Sequence, residues 1–383
     1  MTAMEKKDKT LNVPNLRFPE FSGEWEKCTL GDFGNVITGN TPPTAEDENY
    51  DNGTHLWASP ADLGATKYIE STQTLLSDRG FEKSRSFPAN SILVTCIGST
   101  IGKMGMSKTE MASNQQINTI VPVQHDANFV YYAVQSRFPR YLSSIAVQAV
   151  PILSKSSFEK LTNYTTARKE QIKIGNLLSL IDERIDTQKK IIEDLKKLKD
   201  AINYNNLFDQ SWKEYKISEI SVLGRGRVIS TIEISKQERP QYPVYSSQTS
   251  NNGIMGYLDD YDFDGEYITW TTDGANAGTV FYRNGRFNCT NVCGTIKVDK
   301  NIDAYFLSVV LQSATAKYVS INLANPKLMN NTMASIKVKL PDIDTQKYWS
   351  RILRHIDKKI ETEFQYENLL IQQKAYLLSQ MFI

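Results

Sequence analysis

A proline-containing string is the first candidate for chemistry on DNA, because adenine methyltransferases grip a flipped base with an Asn-Pro-Pro-aromatic loop. The closest string in this chain is Asn40-Thr41-Pro42-Pro43-Thr44, which carries an inserted threonine and no aromatic residue. A loop stiffened by two prolines accounts for these residues without any reaction. The string therefore predicts a structural loop after a strand rather than a base-flipping site.

Three other groups of reactive or ligand-forming residues are incomplete. The Gly-Arg-Gly string at residues 224–226 lacks the third glycine and the acidic partner that a nucleotide site needs. Cys289 and Cys293 have no second ligand pair after them, which favours buried thiols over a zinc site. The acidic run at residues 259–264 lacks the lysine of a nuclease and predicts a solvated loop or a helix cap. We therefore expect neither catalytic residues nor a bound metal in this chain.

The side chains that remain are suited to binding DNA. Lysine and arginine contact phosphates, whereas arginine, amide and hydroxyl side chains read base edges in the major groove. Residues 246–252 are polar and lie between Pro243 and Gly253, which predicts an exposed loop whose amides Gln248 and Asn251 can pair with adenine. The alternative for each candidate is an ordinary solvated surface residue. The predicted DNA-contacting residues are Arg79, Lys83, Arg85, Lys103, Arg225, Arg227, Ser246, Gln248, Thr249 and Asn251.

The charge balance confines any DNA-binding surface to local patches. The chain carries 44 Lys plus Arg against 43 Asp plus Glu, a formal net charge of +1. Residues 24–167 hold 11 basic and 14 acidic side chains, so the affinity of this chain alone for DNA should be modest. Four cysteines and a charged start predict a reduced, cytoplasmic protein, and no apolar stretch has the length of a membrane span.

An internal repeat organises the chain, whose 383 residues already exceed the usual size of one domain. Residues 92–102 match residues 268–278 at an offset of 176, with both glycines of each segment in register. The repeat predicts two similar halves, each with strand-and-turn texture followed by a helical stretch. Other matches, at an offset of 175, pair Pro151 with Pro326, Leu161 with Ile336, Gln171 with Gln346, and Ile181-Asp182 with Ile356-Asp357.

The two helical stretches carry an apolar heptad pattern. Residues 168–208 contain a single glycine and no proline, and residues 344–382 contain neither. Apolar residues recur in alternating steps of four and three, which is typical of a coiled coil, and two copies in one chain suggest mutual pairing. The alternative is that each helix packs only on its own domain. The predicted interface residues are Ile174, Leu178, Ile181, Ile185, Ile192, Leu195, Leu353, Ile356, Ile360 and Leu370, and polar residues interrupt the pattern at Gln188, Lys199, Glu363 and Lys374.

The order of these parts resembles the specificity subunits of type I restriction-modification systems. Members of that family have two target recognition domains in tandem, each followed by a long helix, and the two helices form an antiparallel coiled coil. The resemblance covers nearly the whole chain. It is carried by the openings Trp25-Glu26 and Trp212-Lys213, the turns at 98–102 and 274–278, the segments at Pro151 and Pro326, the helix entries at 168–171 and 340–346, and the leader at 12–21.

The resemblance implies an α+β fold with two tandem α/β target recognition domains separated by two long helices that pair as an antiparallel coiled coil, in a pseudo-twofold internal repeat. A helix of about 39 residues spans roughly 58 Å, so this spacer would separate two unlike half-sites by well under two turns of DNA. The expected parts are an N-terminal leader (1–23), a first recognition domain (24–167), a first spacer helix (168–208), a second recognition domain (209–343) and a second spacer helix (344–383).

The resemblance also implies a non-catalytic role within a larger complex. The chain would read double-stranded DNA and dock two methyltransferase subunits and restriction or translocase subunits, without contacting a membrane. S-adenosylmethionine and ATP would bind those partners, because this chain has no glycine-rich loop with Lys-Ser or Lys-Thr. Two alternatives stay open at this point: a self-contained DNA methyltransferase or nuclease, and a coiled-coil scaffold that does not bind DNA.

Overall fold

The computed structural model describes residues 12–145, 152–206, 211–320 and 325–383 of the chain. The chain divides into two compact units, of which unit 1 comprises Met1–Ile191 and Phe364–Ile383 and unit 2 comprises Ile192–Glu363. Three features of the sequence-based expectation lie outside the described residues: residues 1–11 of the leader, Pro151, and the boundary at residues 208 and 209.

Unit 1 is an α+β domain. Hydrogen bonds join its strands in the orders β2-β10-β7-β8-β4, β5-β3-β9-β6 and β1-β11, with the bounds that follow. The strands are β1 (Glu26–Thr29), β2 (Gly34–Thr38), β3 (His55–Ala58), β4 (Tyr68–Ile69), β5 (Thr74–Leu76), β6 (Ser86–Phe87), β7 (Ile92–Thr95), β8 (Met104–Ser107), β9 (Met111–Ser113), β10 (Ile117–Pro122) and β11 (Thr162–Thr165). The helices are α1 (Asp78–Glu82), α2 (Ala127–Ile145), α3 (Lys155–Glu159) and the first part of α4 (Arg168–Asn206).

Unit 2 is a second α+β domain. Its strands follow the orders β13-β19-β16-β17, β15-β14-β18 and β12-β20. They are β12 (Lys213–Lys216), β13 (Ser221–Arg225), β14 (Tyr242–Tyr245), β15 (Ile254–Leu258), β16 (Glu266–Thr271), β17 (Val280–Asn284), β18 (Asn288–Cys289), β19 (Cys293–Val298) and β20 (Lys337–Leu340). The helices are α5 (Ile217–Ile220), α6 (Thr231–Ser235), α7 (Ala304–Ala314), α8 (Asn330–Ser335) and the first part of α9 (Ile343–Met381).

The two units share their central strand pairing, so the internal repeat predicted from the sequence is confirmed. In unit 1, β10 pairs antiparallel with β2 and β7, and β7 pairs with β8. In unit 2, β19 pairs antiparallel with β13 and β16, and β16 pairs with β17. The smaller sheets also agree, because β3 and β14 each have one antiparallel and one parallel neighbour.

The glycine pairs that revealed the repeat close equivalent turns, between β7 and β8 and between β16 and β17. Gly102 has φ +92° and Gly278 has φ +87°, a region that favours glycine. A Cβ atom at Gly102 would lie 2.7 Å from the ring of Phe138, and one at Gly278 would lie 2.7 Å from Val319. Both turns therefore need glycine for backbone conformation and for close packing.

The two long helices pair in opposite directions within each unit. In unit 1, Asp182 of α4 contacts Lys374 of α9, and Gln188, further along α4, lines the same groove as Tyr366, which comes earlier in α9. In unit 2, Lys199 of α4 contacts Asp357 of α9. Residue numbers rise along one helix as they fall along the other. The predicted antiparallel pairing is therefore present.

The buried stripe of each helix also enters a domain core. Ile181 and Ile185 of α4 and Leu370 of α9 belong to one apolar cluster with Phe129 and Tyr132 of α2. The C-terminal part of α9 thus packs in unit 1, although α9 follows the second domain in sequence. The alternative in which each helix packs only on its own domain is wrong. The other predicted interface residues are buried at Ile174, Leu178, Ile192 and Leu353 and half-buried at Leu195, Ile356 and Ile360.

Candidate nucleic-acid interface

Two predicted DNA-contacting residues of the first domain, Arg79 and Lys83, accompany the short helix α1. The hydroxyl of Ser77 caps this helix by accepting a first-turn backbone N–H at 3.2 Å. Arg79 forms an ion pair with Glu48, and Lys83 forms one with Glu46. Exposed ion pairs of this kind are weak, so a DNA phosphate can replace the carboxylates at little cost.

Asn40 connects α1 to the strands beneath it. Its side-chain amide donates to the carbonyl oxygen of Lys83 at 2.9 Å and accepts the backbone N–H of Arg85 at 2.8 Å. Its backbone N–H donates to the carbonyl of Ser113 at 2.9 Å, and its carbonyl accepts the indole N–H of Trp57 at 3.0 Å. Asn40, which begins the string considered for base flipping, therefore positions Lys83 and Arg85. The sequence did not predict this role, because the partners are distant along the chain.

Lys103 lies on a different surface from the other three candidates of the first domain. It follows the glycine turn at residues 98–102 and lines a cavity of about 590 Å³ in unit 1. Phe138 of α2, Asp186 of α4 and Lys374 of α9 also line this cavity. The exposed ammonium of Lys103 at this surface remains available for a phosphate contact.

Lys67, at the back of the same cavity, is a buried cation that the sequence did not single out. Its side chain is 5% exposed, and its Nζ donates to Asn128 Oδ1 at 2.6 Å and to Ser179 Oγ at 2.7 Å. Burial lowers the pKa of Lys67 to about 8, because removal from water disfavours the charged form. These bonds join the segment before β4 to α2 and α4, so Lys67 has a structural role.

Arg225 and Arg227 of the second domain differ in their partners. Arg227 forms ion pairs with Glu233 at 2.7 Å and with Asp262 at 3.1 Å, and the hydrogen bond to Glu233 raises the pKa of Arg227. Arg225 instead donates to Thr272 Oγ1 at 3.0 Å and to a backbone carbonyl oxygen. Neutral acceptors leave the charge of Arg225 uncompensated, so Arg225 is the better phosphate ligand of the two.

The acidic run at residues 259–264 serves neighbouring segments. Asp259 accepts the backbone N–H groups of Glu238 and Arg239 at 3.1 and 2.8 Å, and Asp264 pairs with Arg286 at 3.3 Å. These contacts are those of a turn cap and of surface ion pairs. They neutralise basic residues on this side of the second domain.

The polar loop at residues 246–253 connects β14 to β15. The amide of Gln248 donates to the carbonyl of Ile254, which holds that side chain within the loop. Thr249 and Asn251 are exposed, and Ser246 is half-buried. Asn251 has φ +49°, a left-handed conformation that asparagine tolerates better than most residues. The exposed amide of Asn251 is thus better placed than that of Gln248 for a contact with a base edge.

The cysteine pair lies in the interior of unit 2. Cys289 and Cys293 are both buried in a small apolar cluster with Phe287. In the described part of the chain, no group of three or more His, Cys, Asp or Glu side chains is arranged to hold a metal ion. Likewise, among the described helices none combines the length and apolar character that crossing a membrane requires.

Solved structures with a similar fold come from type I restriction-modification systems. An S subunit from M. genitalium superposes with a TM-score of 0.70 at 19% sequence identity, and the match covers 97% of this chain and 99% of that one. A chain from a study of complex assembly and conformational transition of the type I system matches with a TM-score of 0.54 at 11% identity. These likenesses establish the fold.

Sequence relatives and a family model identify the family. A provisionally named type I specificity subunit N-terminus from Mycoplasma pneumoniae is 47% identical over 146 residues, which are 38% of this chain and 76% of the relative. The MpnII specificity subunit of the same organism is 40% identical over 148 residues, so the match spans 38% of this chain and 44% of that relative. The model of the type I restriction modification DNA specificity domain matches residues 22–197 and 209–371. The chain therefore belongs to the family of type I restriction-modification DNA specificity subunits, as its sequence had indicated.

Proposed function

We propose that this chain reads a two-part DNA target, with one half-site for each unit. The observation that carries the proposal is the duplicated domain, in which the same strand pairing recurs with different side chains around it. The first domain offers Arg79, Lys83 and Arg85 around Asn40, whereas the corresponding part of the second domain offers Arg225. Unlike reading surfaces call for unlike half-sites.

Within the second domain, we assign phosphate and base contacts to different residues. Arg225 would contact phosphate, because its guanidinium has neutral partners, and Arg227 would do so only after leaving its carboxylates. Asn251 and Thr249 would meet base edges, with Ser246 and Gln248 supporting the loop. Lys103 would contact the phosphates near the first half-site.

The long helices would provide the surface on which methyltransferase subunits dock. Large apolar side chains stand exposed on these helices, among them Leu180, Leu369 and Tyr376 in unit 1 and Tyr348 in unit 2. Exposed apolar residues in this density are typical of protein interfaces. Two methyltransferase subunits would bind S-adenosylmethionine, and restriction or translocase subunits would bind ATP. The chain would act in the cytoplasm, where its substrate DNA is found.

Methylome sequencing of cells with and without this chain tests the proposal. We expect a single two-part motif with a fixed gap to lose its methylation when the chain is absent. Methyl transfer by the purified chain alone would instead support a self-contained methyltransferase. If adding a methyltransferase subunit produced no sequence-dependent retention of DNA, a scaffold without DNA-binding function would be the better description.

A further inference from the structure

Arg283 is a buried cation in the second domain that none of the proposed contacts uses. It lies on β17 and is 4% exposed. Its guanidinium carbon is 3.6 Å from the ring centre of Tyr245 and 4.4 Å from that of Phe281. Within the described residues Arg283 forms no ion pair with a carboxylate. Burial without a carboxylate lowers the pKa of Arg283, and such a group persists in a fold only when other contacts compensate it.

The compensating contacts include the backbone of the polar loop. The Nη2 of Arg283 donates to the carbonyl oxygen of Asn252 at 2.9 Å, and its Nε donates to Thr269 Oγ1 at 3.3 Å. A Cβ atom built on Gly253 would lie 3.2 Å from the same Nη2. The planar guanidinium is therefore packed directly against the turn that ends the loop.

That turn has an unusual backbone. Asn251, Asn252 and Gly253 have φ values of +49°, +53° and +81°, so three successive residues are left-handed. Residues other than glycine adopt this conformation only when surrounding contacts hold them in it. The hydrogen bond from Arg283 fixes the carbonyl of the middle residue, and the Ser246 N–H closes the loop by donating to the Gly253 carbonyl at 2.9 Å.

We propose that Arg283 is a positioning residue for DNA reading by the second domain. It holds the turn in the left-handed conformation that presents Asn251, and it thereby sets the base preference at the second half-site. This inference rests on the proposed function of the loop. The first domain has Ser107 at the equivalent place, 176 residues earlier, where its hydroxyl donates to the carbonyl of Pro88 at 2.8 Å. The arrangement is therefore specific to the second half-site.

The test uses the full chain reconstituted with its methyltransferase subunit and a panel of DNA targets with single-base changes in either half-site. Arg283→Lys keeps the charge but loses the planar fork, so we expect discrimination at the second half-site to fall by about tenfold. Discrimination at the first half-site should stay unchanged. Hydrogen exchange of the amides in residues 246–253 should become faster. The matched control is Arg286→Lys, an exposed arginine after the same strand, which should alter neither half-site.

A second variant keeps the test decisive if Arg283→Lys destabilises the domain. Gly253→Ala leaves the Arg283 side chain in place but strains the left-handed turn, and it should relax the second half-site in the same way. The inference is overturned if both variants keep the second half-site profile while Asn251→Ala changes it. It is also overturned if both half-sites lose discrimination equally, which would indicate general destabilisation. If Asn251→Ala and both variants leave the profile unaltered, the loop does not read DNA, and the inference fails together with that part of the proposed function.

Discussion

Asp182 of α4 and Lys374 of α9 form an ion pair of 2.6 Å, and this pair has a counterpart 175 residues away along the chain. Lys199 of α4 and Asp357 of α9 form it, also at 2.6 Å. The lysine that interrupts the apolar pattern of each helix thus meets the aspartate of the other helix. A polar pair at one place in an apolar interface fixes the register of two helices. Each helix therefore carries both halves of the same lock.

Removing Lys374 should destabilise unit 1 more than removing Lys199 destabilises unit 2. Asp182 is 12% exposed and also accepts from Tyr132, whereas the Asp357 side chain is 40% exposed. We expect Lys374→Ala to lower the free energy of unfolding by about 3 kcal/mol, because it leaves a mostly buried carboxylate without its cation. Lys199→Ala should cost about 1 kcal/mol or less. Urea unfolding of both variants measures this difference, and equal losses would contradict the assigned burial.

Two neighbouring residues of α4 should separate helix pairing from partner docking. Ile181 is 6% exposed and lies in the core, whereas Leu180 is 58% exposed. Replacing Ile181 and Ile356 together by Asp should cost several kcal/mol and reduce co-purification with the methyltransferase subunit. Leu180→Asp should reduce co-purification while the melting temperature and helical content stay at wild-type values. If the double Asp variant kept its helical content and its complex, the paired-helix spacer would have to be abandoned.

Exchange of the first recognition domain should change one half of the target. Replacing residues 24–165 by those of a relative exchanges the surface around Asn40 and leaves α4 intact. Because each unit has its own core, we expect a new first half-site with the second half-site and the gap preserved. Methylome sequencing reads all three at once. A simultaneous change in both halves would show that the units do not read independently.

Substitutions in the second domain should separate phosphate contacts from base contacts. Arg225→Ala should weaken binding to all sequences alike and reduce the slope of log K against log salt by about 1. Asn251→Ala should cost about 1 to 3 kcal/mol at one base pair and relax discrimination there. Gln248→Ala should act at the same base pair, by removing a bond within the loop and an amide that can face adenine.

The measurement is binding of the reconstituted complex to single-base variants at several salt concentrations. Arg227→Ala serves as the comparison for Arg225→Ala, and we expect a smaller salt effect because Arg227 is held by two carboxylates. If neither Gln248→Ala nor Asn251→Ala alters affinity or preference, the loop is not the reading element. The turn at residues 273–278 is then the next candidate.

Lys67 should make the stability of the chain depend on pH above neutrality. Its pKa is about 8 in the folded chain, against about 10.4 in an unfolded one. As the pH rises from 8 to 10 the folded state has already released this proton while the unfolded state still binds it, so stability increases over that range. Urea unfolding at a series of pH values should therefore show wild type gaining relative to Lys67→Met. The exposed Lys108→Met is the control, and parallel curves for all three proteins would refute the assignment.

The sequence by itself determined the features that depend on local geometry and periodicity. The glycines at positions 98, 102, 274 and 278 all have positive φ, a local requirement that appears directly as residue type. The steps of three and four in the long helices mark one face of each as buried, because that spacing follows from 3.6 residues per turn. Two copies of these signals at one spacing were enough to indicate the duplicated fold and the family.

Tertiary structure decided which partners the polar and charged residues have. Periodicity predicted that α9 pairs with α4, but only the fold places Leu370 in the core of the first domain, across nearly 200 residues of chain. Arg227 and Arg225 look alike in sequence, yet Asp262, 35 residues away, neutralises only one of them. Arg283 reads as an ordinary basic residue until β14 brings Tyr245 against it. The energy of a charge depends on its solvent exposure and on neighbours from other strands, and only the folded chain sets these.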